Sequence, residues 1–111
     1  MRRVKLKTVA IDAPGAPEGR LDYADLIEGI VGQAQDNQRL NIAEVRRAVI
    51  VLDALARARG NAGAEVLLEE ADWGYLKVRV EAHRWPIAHR AIVRFVEDIA
   101  AAETFDPIPP A

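Results

Sequence analysis

The two histidines are the side chains of this chain best suited to proton transfer or metal binding. His83 and His89 lie six residues apart, with Pro86 between them. Histidine pairs that hold a metal on a helix usually lie four residues apart, because that spacing puts both rings on one face. The wider spacing, with no carboxylate set nearby, favours two surface or boundary histidines. An enzyme that uses either histidine is therefore the least favoured function.

Other residue types that catalysis usually needs are scarce. The chain contains neither cysteine nor serine, which excludes thiolate, disulfide, zinc–cysteine and serine-nucleophile chemistry. Its glycines form no phosphate-binding loop. One acidic group lacks the alternating oxygen ligands of a calcium loop and is interpreted as a solvated helix start; it consists of Glu65, Glu69, Glu70 and Asp72. We expect no catalytic residue, no metal and no cofactor.

Length and charge limit the class of protein. With 111 residues, the chain is predicted to form one α+β domain over 1–103, followed by a proline-rich extended tail over 104–111. A net charge of −2 argues against a protein dedicated to coating nucleic acid. No stretch approaches the ~20 apolar residues of a membrane span, and no signal-peptide run follows the basic N-terminus. We expect no membrane partner and a cytoplasmic location.

Apolar periodicity predicts the elements that must position these side chains. The clearest is a helix over 42–59, where Asn41 and Glu44 have the spacing of a capping box and Gly60 is a natural stop. The other predicted elements are strands over 4–11 and 64–69, helices over 23–35 and 71–83, and a last helix that begins at Trp85-Pro86.

The predicted fold class is α+β and mainly helical, with three or four helices and a short two-stranded element formed by the two strands. Residues 71–83 have an alternative as a β-hairpin, because Leu76, Val78 and Val80 alternate with charged residues. That hairpin would make the domain resemble a winged helix. The predicted core consists of Leu26, Ile30, Val45, Val49, Leu52, Leu55, Leu76, Val80, Ile92, Phe95 and Ile99.

Sparse aromatic residues indicate where a protein partner would bind. An exposed tryptophan marks such a surface, and the C-terminal tail resembles a peptide that docks in a neighbour's groove. The predicted partner-binding residues are Trp73, Tyr75, Trp85, Phe105 and Ile108.

DNA binding is the alternative function. Arg46 and Arg47 lie on a capped helix that follows a shorter one, as in a helix-turn-helix. The connection is longer than the three or four residues of that motif, and the second helix is rich in Val, Ile and Leu. These features favour a core helix, so nucleic acid is a partner only in this alternative.

The order of segments resembles that of small proteins encoded by tailed phages and prophages. The segments are VKLKTVAI, LDYADLIEGIV, NIAEVRRAVIVLDAL, LEEADWGYLKVRV and AIVRFVEDI, which together span most of residues 4–103. The resemblance implies a non-catalytic protein that assists particle assembly or binds a host or phage protein. We therefore expect a protein–protein interaction module of the phage assembly or accessory type, working as a homo-oligomer or in a larger complex, inside the host cell or on the virion.

Overall fold

The computed structural model of the protein describes residues 1–10, 20–32, 39–59, 65–85 and 88–104. Within these ranges the chain forms four helices and two small antiparallel sheets, which confirms the mainly helical α+β class. The elements are β1 (Arg2–Lys5), β2 (Thr8–Ala10), β3 (Arg20–Asp22), α1 (Tyr23–Gly32), α2 (Ile42–Arg59), β4 (Glu65–Leu68), α3 (Glu70–Ala82), α4 (Arg90–Ala100) and β5 (Glu103–Thr104).

The larger sheet has the strand order β4-β1-β5. The predicted pairing of the N-terminal strand with 64–69 is confirmed, because Arg2 lies opposite Leu68 and Lys5 opposite Glu65. Strand β5 adds a third, short strand on the other side of β1. The residues of the predicted tail beyond Thr104 lie outside the described ranges.

The single strand predicted over 4–11 is wrong, since the chain leaves the first sheet after Lys5. It resumes as β2, which pairs with β3 in a separate sheet. Between the two strands, the carbonyl of Lys7 accepts a hydrogen bond from the Tyr23 amide at 2.9 Å. This bond holds the segment between β1 and β2 against the first residue of α1. It also satisfies the Lys7 carbonyl, which a continuous strand would have paired within the sheet.

Helix α2 has the predicted bounds, and its capping box is formed. The Asn41 side-chain oxygen accepts from the Glu44 amide at 2.8 Å, and the Glu44 carboxylate accepts from the Asn41 amide at 3.2 Å. Two amide groups that the first turn leaves without helical partners are thereby satisfied.

Replacing Asn41 with alanine is expected to lower the free energy of unfolding by about 1 kcal/mol, because it removes the oxygen that caps α2. Asn41→Ser keeps a capping oxygen and serves as the control, with a loss of only a few tenths of that value. Urea unfolding followed by circular dichroism measures both. Equal losses for the two variants would show that the cap contributes nothing.

The remaining helices confirm some predicted boundaries and correct one. Asp22 caps α1 as predicted, accepting from the Ala24 amide at 2.9 Å. Helix α3 confirms the helical interpretation of 71–83, and the hairpin alternative with its winged-helix form is wrong. Helix α4 begins at Arg90, not at Trp85-Pro86, because His89 supplies the N-cap.

The core lies where α1, α3 and α4 meet α2 and the larger sheet. Tyr23 and Phe95 are fully buried, with their ring centroids 4.9 Å apart in an edge-to-face contact. The Tyr23 hydroxyl donates to the Asp98 carboxylate at 2.6 Å, and burial together with that bond raises the pKa of the hydroxyl well above its usual value. A buried polar group is thus satisfied within the hydrophobic core.

The side of α2 that was predicted to be buried is only partly correct. Leu55 is buried as predicted, but Val45 and Val49 are 37% and 47% exposed, and the buried side is centred on Val51. Leu26 and Leu52 are half-buried, and the other predicted core residues are buried. The buried residues of α2 are Ala48, Val51, Ala54, Leu55 and Ala58. Three alanines among them let neighbouring elements approach the helix backbone closely.

Candidate protein-interaction surface

Helix α2 presents a partly apolar line of residues to solvent, directly opposite its buried side. The residues of this line are separated by four, three, four and three positions, which keeps them aligned along an α-helix. We call this line the α2 crest; it consists of Ile42, Arg46, Val49, Asp53 and Ala56. All five are exposed, and Ile42 is 65% exposed.

Further apolar residues flank the α2 crest on both sides. Val45 and Leu52 lie along one flank, exposed and half-buried respectively. Ile50 lies along the other flank and is 44% exposed. Scattered exposed aliphatic residues are normal on a protein surface, whereas a row of them along one helix is a candidate for contact with another macromolecule.

A groove of about 710 Å³ runs between α1 and α2, next to the C-terminal half of the α2 crest. Gly29 and Gly32 form its α1 wall, and a Cβ atom built on either residue would meet nothing within 4 Å. Ala56 lines the opposite wall. At the rim, Arg59 binds Asp25 at 2.8 Å and Glu28 at 3.1 Å. The groove therefore has small residues on both walls, leucines from α2 and a charged rim.

The predicted partner-binding residue Trp73 has extensive contacts within the molecule. Its indole Nε1 donates to the carbonyl of Ile99 at 2.9 Å. The guanidinium of Arg2 lies 3.9 Å from its ring centroid and also binds Glu70 at 2.9 Å. Arg2 therefore covers one face of the ring, and Trp73 as a whole is half-buried.

The other predicted aromatic residues that the structure describes also have contacts within the molecule. Trp85 is half-buried and packs edge-on against Phe95, with the centroids 6.0 Å apart. The Tyr75 hydroxyl accepts from Arg79 at 2.9 Å. Phe105 and Ile108 lie outside the described residues, so partner binding by this set stays a prediction.

Arg46 and Arg47, the residues of the DNA-binding alternative, have different environments. Arg46 is exposed on the α2 crest, and its side chain has no ion pair or hydrogen bond within the described ranges. Arg47 binds the carboxylate of Asp72 at 2.7 Å, and Asp72 is the buried charged residue of the described core. Arg47 therefore stabilises the fold, and Arg46 alone remains available for an intermolecular contact.

The two histidines have different structural roles. His89 caps α4, with its Nδ1 accepting from the Ala91 amide at 3.0 Å. His83 is half-buried, and its ring centroid lies 4.7 Å from that of Trp85 in an edge-to-face contact. Burial, and secondarily the charge of Arg79, lower the pKa of His83 below its usual 6.5. The neutral imidazole is thus the form that the fold prefers.

This preference predicts how His83 changes stability with pH. Because the folded-state pKa is depressed, the unfolded chain binds the proton more readily, so folding is disfavoured as the imidazole becomes charged. The contribution of His83 is fully present above pH 6.5 and is lost as the pH falls through the lower folded-state pKa. The urea midpoint of the wild type relative to that of His83→Gln should therefore be highest at pH 7.5 and should decrease by a small amount as the pH is lowered. A difference that stays constant with pH would contradict the prediction.

The acidic residues near the start of α3 take part in separate ion pairs. Glu65 binds Arg3 at 2.9 Å, while Glu70 and Asp72 bind Arg2 and Arg47 as described above. In the described part of the chain, no three His, Cys, Asp or Glu residues lie together as a set that could hold a metal ion. None of the helices described is both long and apolar enough to cross a bilayer.

Comparison of the chain with protein-family models, with curated proteins and with solved structures finds no match. The spacing of Val45, Val49, Leu52 and Ala56, which predicted a core-facing line, runs along the α2 crest and one of its flanks in the structure. A second line of apolar residues on the same helix, through Val51 and Leu55, is the signal that two sides of α2 compete for burial.

Proposed function

We propose that this protein is a non-enzymatic protein–protein interaction module, which works as an oligomer or as a subunit of a larger complex. The α2 crest and its flanks carry this proposal, since four of the seven large hydrophobic residues exposed in the described part of the chain lie there, on one helix: Ile42, Val45, Val49 and Ile50. Within the described ranges, neither Ile42 nor Val49 belongs to the hydrophobic core or packs against it. Burial against another macromolecule removes these side chains from water.

The uses of the polar side chains support the same proposal. His89 caps a helix and His83 packs against Trp85, while Asp98 accepts the hydroxyl hydrogen of Tyr23. Each of these groups has a role in holding the fold. The resemblance to small phage and prophage proteins extends the proposal to an assembly or accessory role, in the cytoplasm of the host cell or on the virion.

The test is the size of the full chain in solution together with recovery of its partners. Light scattering behind a sizing column, across a wide range of protein concentration, should give a mass above that of the 12.2 kDa monomer, or a defined partner should copurify from the native host. A mass of one chain at every concentration, with no partner recovered, would contradict the proposal.

A further inference from the structure

We propose that the α2 crest binds a second copy of this chain, with the two α2 helices antiparallel about a twofold axis near Val49. The inference rests on the proposed function and names the partner. The antiparallel arrangement follows from the order of residue types along the α2 crest, which is apolar, basic, apolar, acidic and apolar.

Positions along the α2 crest are nearly symmetric about Val49. Arg46 lies three residues before it and Asp53 four residues after it, while Ile42 and Ala56 each lie seven residues away. Two antiparallel copies therefore place Arg46 of each chain beside Asp53 of the other. Val49 meets its own counterpart at the axis, which is the self-complementary arrangement of a twofold interface.

Charge selects the antiparallel orientation. In a parallel pair, Arg46 would lie beside Arg46 of the other copy and Asp53 beside its counterpart, so both contacts would be repulsive. Neither side chain has an ion pair or hydrogen bond among the described residues. Both charges are exposed and available for pairing across the interface.

The flanks of the crest are compatible with the same symmetry. A twofold axis perpendicular to antiparallel helices brings like flank against like flank. Val45 and Leu52 then meet Leu52 and Val45 of the second copy, and Ile50 meets its counterpart. The apolar residues on both sides of the charged pairs are covered together.

The groove between α1 and α2 is positioned to receive Ile42 of the second copy, the most exposed of the large hydrophobic residues that the structure describes. Ile42 of the second copy falls beside Ala56, which lines the groove opposite Gly29 and Gly32. The groove, of about 710 Å³, is large enough to receive a branched side chain, and open space adjoins both glycines. The same contact occurs twice in a twofold dimer.

Sedimentation of the full chain and of matched aspartate variants tests the assignment. Val49→Asp puts two carboxylates together at the axis and should weaken dimerisation by tenfold or more, on the order of a buried like-charge contact. Val93→Asp is the control, because Val93 is 57% exposed on α4, away from the crest, and should leave the dimer unchanged. Circular dichroism checks that both variants remain folded.

Charge reversal tests the orientation. Arg46→Asp and Asp53→Arg should each weaken the dimer by about tenfold, since each changes two symmetry-related contacts. The double variant Arg46→Asp/Asp53→Arg restores complementarity in the antiparallel pair and should recover wild-type dimerisation. In a parallel pair the double variant would still place like charges together.

Several results would overturn the inference. A dimer that Val49→Asp leaves intact uses another surface, although the proposed function would stand. A monomeric chain that captures a different protein through the crest also leaves the proposed function standing and assigns the crest to that partner. A chain that dimerises only after residues 105–111 are removed would assign the crest to its own tail.

Discussion

Replacing Phe95 with alanine is expected to lower the free energy of unfolding by about 3–5 kcal/mol, the cost of emptying a large aromatic site in a packed core. The Phe95 ring is fully buried and contacts the rings of Tyr23 and Trp85 edge-on, at centroid distances of 4.9 and 6.0 Å. Its loss removes the aromatic contact between α4 and Tyr23 at the start of α1, and leaves the Tyr23–Asp98 hydrogen bond between the same two helices. Urea unfolding followed by tryptophan fluorescence and circular dichroism measures the change.

The exposed residue Val93 on the same helix gives the matched control. Val93→Ala should change the free energy of unfolding by less than about 0.5 kcal/mol, because Val93 is 57% exposed and lies outside the core. Phe95→Leu keeps most of the volume and should fold even where Phe95→Ala does not, with a loss of about 1 kcal/mol. Comparable losses for Phe95→Ala and Val93→Ala would contradict the packing described above.

Replacing Arg47 with alanine is expected to lower the free energy of unfolding by about 2 kcal/mol. The reason is the carboxylate of Asp72, which is only 5% exposed and would lose its charged partner at 2.7 Å. The half-exposed arginine moderates the loss, because water screens its side of the pair. Chemical unfolding of the variant at neutral pH measures the effect.

Its sequence neighbour Arg46 is the control for this pair. Arg46→Ala should change the unfolding free energy of the single chain by less than about 0.5 kcal/mol, since that side chain is exposed. The variant Arg47→Ala/Asp72→Ala should cost less than the sum of the two single variants, because the two groups interact directly. An Arg47→Ala loss no greater than that of Arg46→Ala would contradict a structural role for the pair.

The different environments of Arg46 and Arg47 decide which variant tests the DNA-binding alternative. A variant that loses both arginines also loses the Arg47–Asp72 pair, so weaker DNA binding would report partial unfolding as well as lost contacts. Arg46→Ala alone is the informative variant. At ~50 mM salt, where even non-specific binders retain affinity, the absence of any complex between the wild-type chain and DNA would contradict the alternative.

Helix boundaries could be predicted from the sequence where short-range hydrogen bonds determine them. Asn41 and Glu44 cap α2, and Asp22 caps α1, through atoms within three residues of each other. The start of α4 was missed because His89, an unusual N-cap, accepts the Ala91 amide, whereas Pro86 has the commoner signal for a first turn. The start of a helix could therefore be predicted where the N-cap is a residue type that commonly takes this position.

The side of α2 that the core covers was beyond prediction from the sequence. The helix carries one apolar line through Val49 and another through Val51, and both have helical spacing. Only the packing of α1, α3 and β4 against the alanine-rich line, with Arg47 held by Asp72, determines which line is buried. Sequence by itself determined the helices and the fold class, because these depend on neighbouring residues and simple periodicity. The pairing of β1 with β4 joins distant parts of the chain, and it could be predicted because their two segments were the strands that the residue pattern indicated. The tertiary structure alone decided which apolar residues remain in water as a candidate interface, because burial is the sum of contacts from elements distant in the chain.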